Sequence, residues 1–236
     1  MRRTAAAIGT LAVVATVAVG CGSSDSSSSD RKEETTTTSA APATETREAG
    51  TSGEPTEAEL REMLLTAAEM GEGWTVDPSS DDDDDDDSDQ PSCLSDLKTN
   101  GIINDPRVDI SFNYDNGAAY AFEGLTWAGE DPDTTFEAAV DALDGCDDLT
   151  IGEGADAVEG TLTRADLPTM GDQSQGWLLS IPTATGEVGV HVVIATQGDI
   201  LIVAMDGLAR GSVTPDATAQ FVDGAAAKVA QTRAAA

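Results

Sequence analysis

Val188-Gly189-Val190-His191-Val192-Val193-Ile194-Ala195 is the stretch that decides the fold. In an extended chain with a side-chain period of two, Val188, Val190, Val192 and Ile194 share one face, and Gly189, His191, Val193 and Ala195 share the other. Neither face is polar enough to meet water, so this strand belongs inside a sheet covered on both sides. Two more apolar runs flank it, Gly176-Trp177-Leu178-Leu179-Ser180-Ile181 before and Ile200 to Met205 after. Turn residues separate them at Thr185-Gly186 and at Gln197-Gly198-Asp199. The three segments predict an antiparallel meander.

Working outward, Val158 to Thr163 supplies another strand. Val108, Ile110, Phe112 and Tyr114 alternate with polar residues, and a second apolar run with Tyr120, Phe122 and Leu125 follows Asn116-Gly117, a strong short-range hairpin signal. Three helices complete the pattern. Thr56-Glu57-Ala58-Glu59 fits a capping box, and Leu60, Met63, Leu64, Ala67 and Met70 follow at helical spacing up to a stop at Gly71. Thr134-Thr135-Phe136-Glu137 starts a second helix, with Phe136, Ala139, Val140 and Leu143 as its seam, ending near Gly145 and Cys146. Thr214 and Pro215 open the last, whose stripe is Phe221, Val222, Ala225 and Val229. Strands outnumber helices and short turns join most of them. The fold class is therefore α+β, an antiparallel β-sheet with packed helices, after a signal peptide and a disordered linker.

The amino terminus, MRRTAAAIGTLAVVATVAVGC, has Arg2 and Arg3, an apolar stretch from Ala5 to Val19, and small residues before Cys21. That order is an export signal, too short and too weakly flanked to be a permanent span. Ala18-Val19-Gly20-Cys21 resembles the lipobox of bacterial lipoproteins, with Ala18 a departure from the usual Leu. The resemblance implies cleavage before Cys21, lipidation of its thiol, and a membrane partner reached through that lipid. Residues 1–20 are then a signal peptide, 21–55 a lipid-anchored linker, and 56–236 an extracytoplasmic domain on the outer face of the cell membrane. From Gly22 to Pro55 there is no aromatic or large aliphatic residue, so this segment buries too little apolar surface to fold. Composition leaves glycosylation of Thr35 to Thr38 open.

With Cys21 acylated, Cys93 and Cys146 remain of the three cysteines. In an exported chain two leftover cysteines predict a disulfide, worth about 4 kcal/mol in the chain-entropy account for so long a loop. The run Asp81 to Asp87, followed by Ser88 and Asp89, predicts a solvated acidic loop over 81–90. Carboxylates suit calcium, but the run lacks the alternation and glycine of an EF-hand loop. The formal net charge is −32, and removal of Arg2 and Arg3 with the signal takes it to −34. Such a surface repels nucleic acid, which is excluded as a partner.

A capped helix running into Gly71-Glu72-Gly73-Trp74, a Cys93-Leu94 segment, a helix ending at Cys146, a β-meander and a carboxy-terminal helix follow in that order. The arrangement resembles actinobacterial sensor-type lipoproteins, and with them the extracellular domain of PknH-type serine/threonine kinases. A fold found in other actinobacterial lipoproteins is a second arrangement open to this element order. The resemblance implies a sensing or binding role and, in the family, two cystines around a cleft. Only one candidate pair exists here, so a looser or differently shaped cleft is expected.

Catalytic chemistry finds little support. His191 is the only histidine, and no G-x-S-x-G or comparable nucleophile motif accompanies it. Carboxylates are too abundant for any pair to be singled out as a glycosidase dyad. No cofactor is expected, and two cysteines with His191 do not make a zinc site, so no metal is expected either. Trp74, Trp127 and Trp177 either stack on sugars or anchor the core. Arg107, Arg164 and Arg210 either hold an anion or pair with nearby carboxylates. The function classes left are a binding or sensing module, an envelope hydrolase, and an inert structural lipoprotein. The sequence favours a non-enzymatic binding module for an unknown small-molecule, lipid, glycan or peptide ligand. Its expected contact residues are Trp177, His191 and Met205, set over a face of the meander that the helices leave uncovered.

Overall fold

The computed structural model describes residues 53–78, 97, 101–103, 105–146, 148–151, 158–184 and 186–235. The signal segment, Cys21, most of the linker, the acidic run and Cys93 lie outside the described residues.

Among the described residues, four helices and nine strands follow one another: α1 (Glu57–Met63), α2 (Ala67–Met70), β1 (Trp74–Val76), β2 (Arg107–Tyr114), β3 (Ala119–Trp127), α3 (Pro132–Asp144), β4 (Asp148–Ile151), β5 (Val158–Ala165), β6 (Gln173–Thr183), β7 (Gly186–Gln197), β8 (Ile200–Leu208), β9 (Gly211–Ser212) and α4 (Pro215–Ala235). One sheet runs in the order β1-β2-β3-β8-β7-β6-β5-β4, antiparallel throughout, while β9 pairs in parallel with the start of β7. The α+β class and the meander β6-β7-β8 are thus present as the apolar alternation requires. The 115–118 loop joins β2 to β3, with Asp115, Asn116 and Gly117 all at positive φ, the backbone that Asn and Gly favour there.

β7 is buried along most of its length, and its two faces feed two separate cores. Val193 and Ala195 pack with Phe112, Ala121, Leu125 and Ile202 beneath α1, α2 and α4, through Leu60, Met63, Val222, Ala225 and Val229. Val190, Val192 and Ile194 pack with Trp177, Leu179 and Leu201 beneath α3, through Ala139 and Leu143, together with Leu97, Ile102, Ile103 and Cys146. The helices therefore divide between the faces and do not gather on one, so the uncovered meander face expected from the sequence is absent.

Two helix boundaries also differ from the sequence pattern. The apolar periodicity from Leu60 to Met70 spans two helices, because the chain turns extended at Leu64 and is capped afresh by Thr66, whose side chain accepts from Glu69 N while Glu69 reaches back to Thr66 N. The amide exposed by that break, Leu65 N–H, donates to Glu123 Oε2 at 2.9 Å. α3 begins before Thr134, since Asp131 is the N-cap and Pro132 sits at the first turn. The Asp131 carboxylate accepts from both the Thr134 amide and its hydroxyl, which takes Thr134 out of the capping role.

Candidate functional site

Strand register builds the floor of the site. Residues opposed across an antiparallel pair point to the same face, so Trp74, Tyr114, Ala119 and Leu208 form one row across β1-β2-β3-β8. Phe112, Ala121, Asp206 and His191 form the row beside it, on the same face and continuing into β7. Met70 from α2, with Ala217 and Phe221 from α4, closes over these rows, leaving a cavity of about 280 Å³. Among the described residues its lining is almost wholly apolar, with Asp206 the one acidic group and no basic side chain.

The aromatic rim is held by contacts of its own. The Trp74 and Tyr114 rings lie 5.3 Å apart at 52°, the tilted geometry that aromatic pairs prefer. Gly73 has a φ of 93°, and a Cβ there would come within 2.6 Å of the Tyr114 ring. Glycine thus serves the Gly-Trp motif twice, by its backbone angle and by leaving room for the ring. Tyr114 is 39% exposed whereas Asp206 is 6% exposed, so the site runs from an aromatic mouth down to a buried carboxylate.

Asp206 belongs to a buried polar chain. The Thr218 hydroxyl lies 3.0 Å from each Asp206 carboxylate oxygen and 2.6 Å from His191 Nδ1. Burial raises the Asp206 pKa to about 6, against the Thr218 hydrogen bond, which lowers it. Burial also lowers the His191 pKa, so the ring is neutral at neutral pH and does not cancel the carboxylate's charge. Tyr120, opposed to Gly207 and hence directed to the other face, has its phenol pKa raised by burial first and by Asp206 second. A Ser-His-Asp triad places the imidazole between hydroxyl and acid. Here the hydroxyl stands between them, is 1% exposed, and has a single proton to give. The arrangement suits a clamp tying the first turn of α4 to the sheet.

The sequence-predicted contact residues do not meet. Trp177 and Met205 both oppose Val192, so they share the α3 face, and His191 lies on the face of α4. Trp177 is 1% exposed and its Nε1–H donates to Asp144 Oδ1 at 3.1 Å, which makes it a core anchor. Asp144 also takes the Arg164 guanidinium, the first cause of its lowered pKa. Met205 borders a space of about 30 Å³ beside Arg107 and Phe122, room for roughly one water. Of the three, only His191 adjoins the larger cavity, through Thr218 and Asp206. Asp206, Trp74, Tyr114 and Phe221 were the residues to find. One signal was in the sequence: Asp206 is the lone charge in the apolar run Ile200 to Leu208.

A second lone charge, Glu123 in β3, is fully buried. Its Oε2 accepts from Leu65 N, and its Oε1 has no partner among the described residues. Burial raises its pKa to about 7.

No protein-family model matches the chain, and no curated protein matches it in sequence. Among solved structures, the crystal structure of the extracellular domain of PknH from Mycobacterium tuberculosis aligns over 76% of this chain and 98% of that one. The TM-score is 0.53 and the identity 11%. The fold is that of the PknH extracellular domain. An uncharacterised protein from Mycobacterium smegmatis aligns over 51% of this chain and 63% of its own, with 11% identity and a TM-score of 0.32, too low to define a shared fold. In the PknH-like fold adopted here, the site lies at the β1-β2 end of the sheet, between α2 and α4.

Proposed function

We propose that this chain is an extracytoplasmic lipoprotein, tethered to the membrane by lipid on Cys21, whose PknH-like domain binds a ligand without turning it over. The observation that carries the binding reading is the cavity itself: a concave, largely apolar site with one buried polar group is how small-molecule sites are commonly lined. The hydroxyl-centred order of the Asp206-Thr218-His191 chain supports binding over hydrolysis, since it leaves no exposed nucleophile beside a base. Anchoring through Cys21 rests on the lipobox resemblance; among the described residues no helix is long and apolar enough to cross a membrane. A Cys93–Cys146 cystine is part of the same proposal. Cys146 is buried in one cluster with Leu97, four residues after Cys93 in sequence.

The test is native mass spectrometry of the protein taken from its own envelope, followed by thermal-shift measurements against envelope lipids, glycans and peptides. A retained or stabilising ligand is expected, with its effect lost in Phe221→Ser. Reproducible hydrolysis of an envelope substrate would overturn the binding-only reading. Cys21→Ala is expected to release the chain from the membrane fraction or leave it unprocessed, and unchanged retention and processing would overturn the anchoring.

A further inference from the structure

We propose that the cavity between α4 and the β1-β2 end of the sheet takes a small organic cation, its ammonium group against Asp206 and its apolar body against Trp74, Tyr114 and Phe221. This rests on the binding reading above and names the ligand's chemical class.

Three features of the site lead there. The first is sign. Among the described residues the lining holds one carboxylate and no basic side chain, and the chain as a whole carries a formal net charge of −32, which raises the local concentration of cations and repels anions. His191, the titratable group nearest the carboxylate, is neutral at neutral pH because burial lowers its pKa, and Tyr120 is neutral because burial raises its own. Lys228 on α4 is engaged by Glu69 of α2 at 2.6 and 2.8 Å. The buried charge of Asp206 is therefore left for a ligand to balance.

The second feature is hydrogen-bond capacity. An ionised carboxylate can accept about four hydrogen bonds, and the Thr218 hydroxyl, with one proton, spans both oxygens of Asp206. An ammonium group brings donors and charge together, which a buried acceptor with spare lone pairs rewards most.

The third is the wall. The rings of Trp74, Tyr114 and Phe221 line the cavity, and aromatic rings attract a cation electrostatically and cover its hydrocarbon portion. A volume of about 280 Å³ lies at the lower edge of the range for small-molecule sites, so the ligand is small.

The test is isothermal titration calorimetry at pH 7.5 on the full chain in lipid nanodiscs, with protein-free nanodiscs as the blank. The probes are 2-phenylethylammonium, 2-phenylethanol and phenylacetate, which share a body and differ in the head group. The cation is expected to bind saturably at one site, the alcohol at least tenfold more weakly, and the carboxylate not at all. Asp206→Asn and Ala217→Phe, the latter filling the cavity from the exposed rim of α4, should each weaken the cation at least tenfold. Thermal melts of both variants establish that they are folded. Equal binding of alcohol and cation, both abolished by Ala217→Phe, would keep the cavity as a binding site and overturn the cation assignment. Absence of saturable cation binding, or binding that neither variant alters, would overturn the site as well.

Discussion

Glu123→Gln should shift the stability of this protein in favour of the variant as the pH rises through a definite range. The side chain is fully buried on β3, one oxygen accepts the Leu65 amide, and the other has no partner among the described residues. Burial lifts its pKa from 4.5 to about 7. Below about pH 4.5 the group is protonated in both the folded and the unfolded chain, and its burial carries no charge penalty. As the pH rises from 4.5 to 7, the unfolded chain releases the proton and the folded chain retains it, so stability falls; above 7 both are ionised and the loss is complete. The shift corresponds to about 3 kcal/mol at full development. Glutamine keeps the shape and the acceptor for Leu65 N and carries no charge, while its NH₂ brings two donors where the protonated acid brings one, a cost that does not vary with pH. Urea unfolding of the parent and Glu123→Gln from pH 3.5 to 8 should therefore give a stability difference that moves by about 3 kcal/mol in favour of glutamine between the acid end and pH 8. Parallel curves would refute the reasoning.

Other substitutions probe the remaining contacts. Thr218→Val leaves Asp206 and the His191 ring without their shared hydroxyl and should cost about 1–3 kcal/mol in urea unfolding, with Thr218→Ser restoring most of it. Trp177→Ala should cost about 3–5 kcal/mol by the same measurement, because the side chain is 1% exposed in the α3 core, and should leave ligand affinity unchanged in chain that remains folded. Non-reducing peptide mapping of protein from its native compartment should recover Cys93 and Cys146 in one linked species, and free thiols at both positions would contradict the cystine.

Much of the fold was legible because local chemistry and long-range packing agree. The Thr56-Glu59 capping box, the Asn116-Gly117 hairpin and the alternation of β7 each act within a few residues and survive in the structure. The break at Leu64 was hidden. Its compensation, the Glu123 carboxylate on the Leu65 amide, comes from 58 residues away, and no helical period reports it. The site was misplaced for a different reason. Alternation assigns faces within a strand, whereas which residues meet depends on register between strands. The registers Thr183↔Gly186 and Gln197↔Ile200 set Trp177 and Met205 opposite Val192, hence away from His191. That parity follows from turn length, so the separation was deducible once the turns were taken as two residues long. The contributions of Trp74 and Phe221 were not, since they depend on how β1 and α4 dock at one end of the sheet.

Glu123 and Asp206 lie on the same face of neighbouring strands, and burial disfavours the ionised form of both. Neither is needed to build the sheet, where an apolar residue would cost less. Each instead holds an end of a helix. Glu123 takes the amide freed where α1 stops short of α2, and Asp206 takes the hydroxyl of Thr218 in the first turn of α4. The Lys228–Glu69 ion pair then joins α4 to α2. Met70 of α2 and Phe221 of α4 are the walls of the cavity, so the two buried acids place the elements between which it opens. An apolar core would hold the same helices at lower cost but would press them onto the sheet. Polar contacts of fixed length at one helix break and one helix start hold them in position while leaving space beside Asp206, which relates the stability lost at these two carboxylates to the existence of the site.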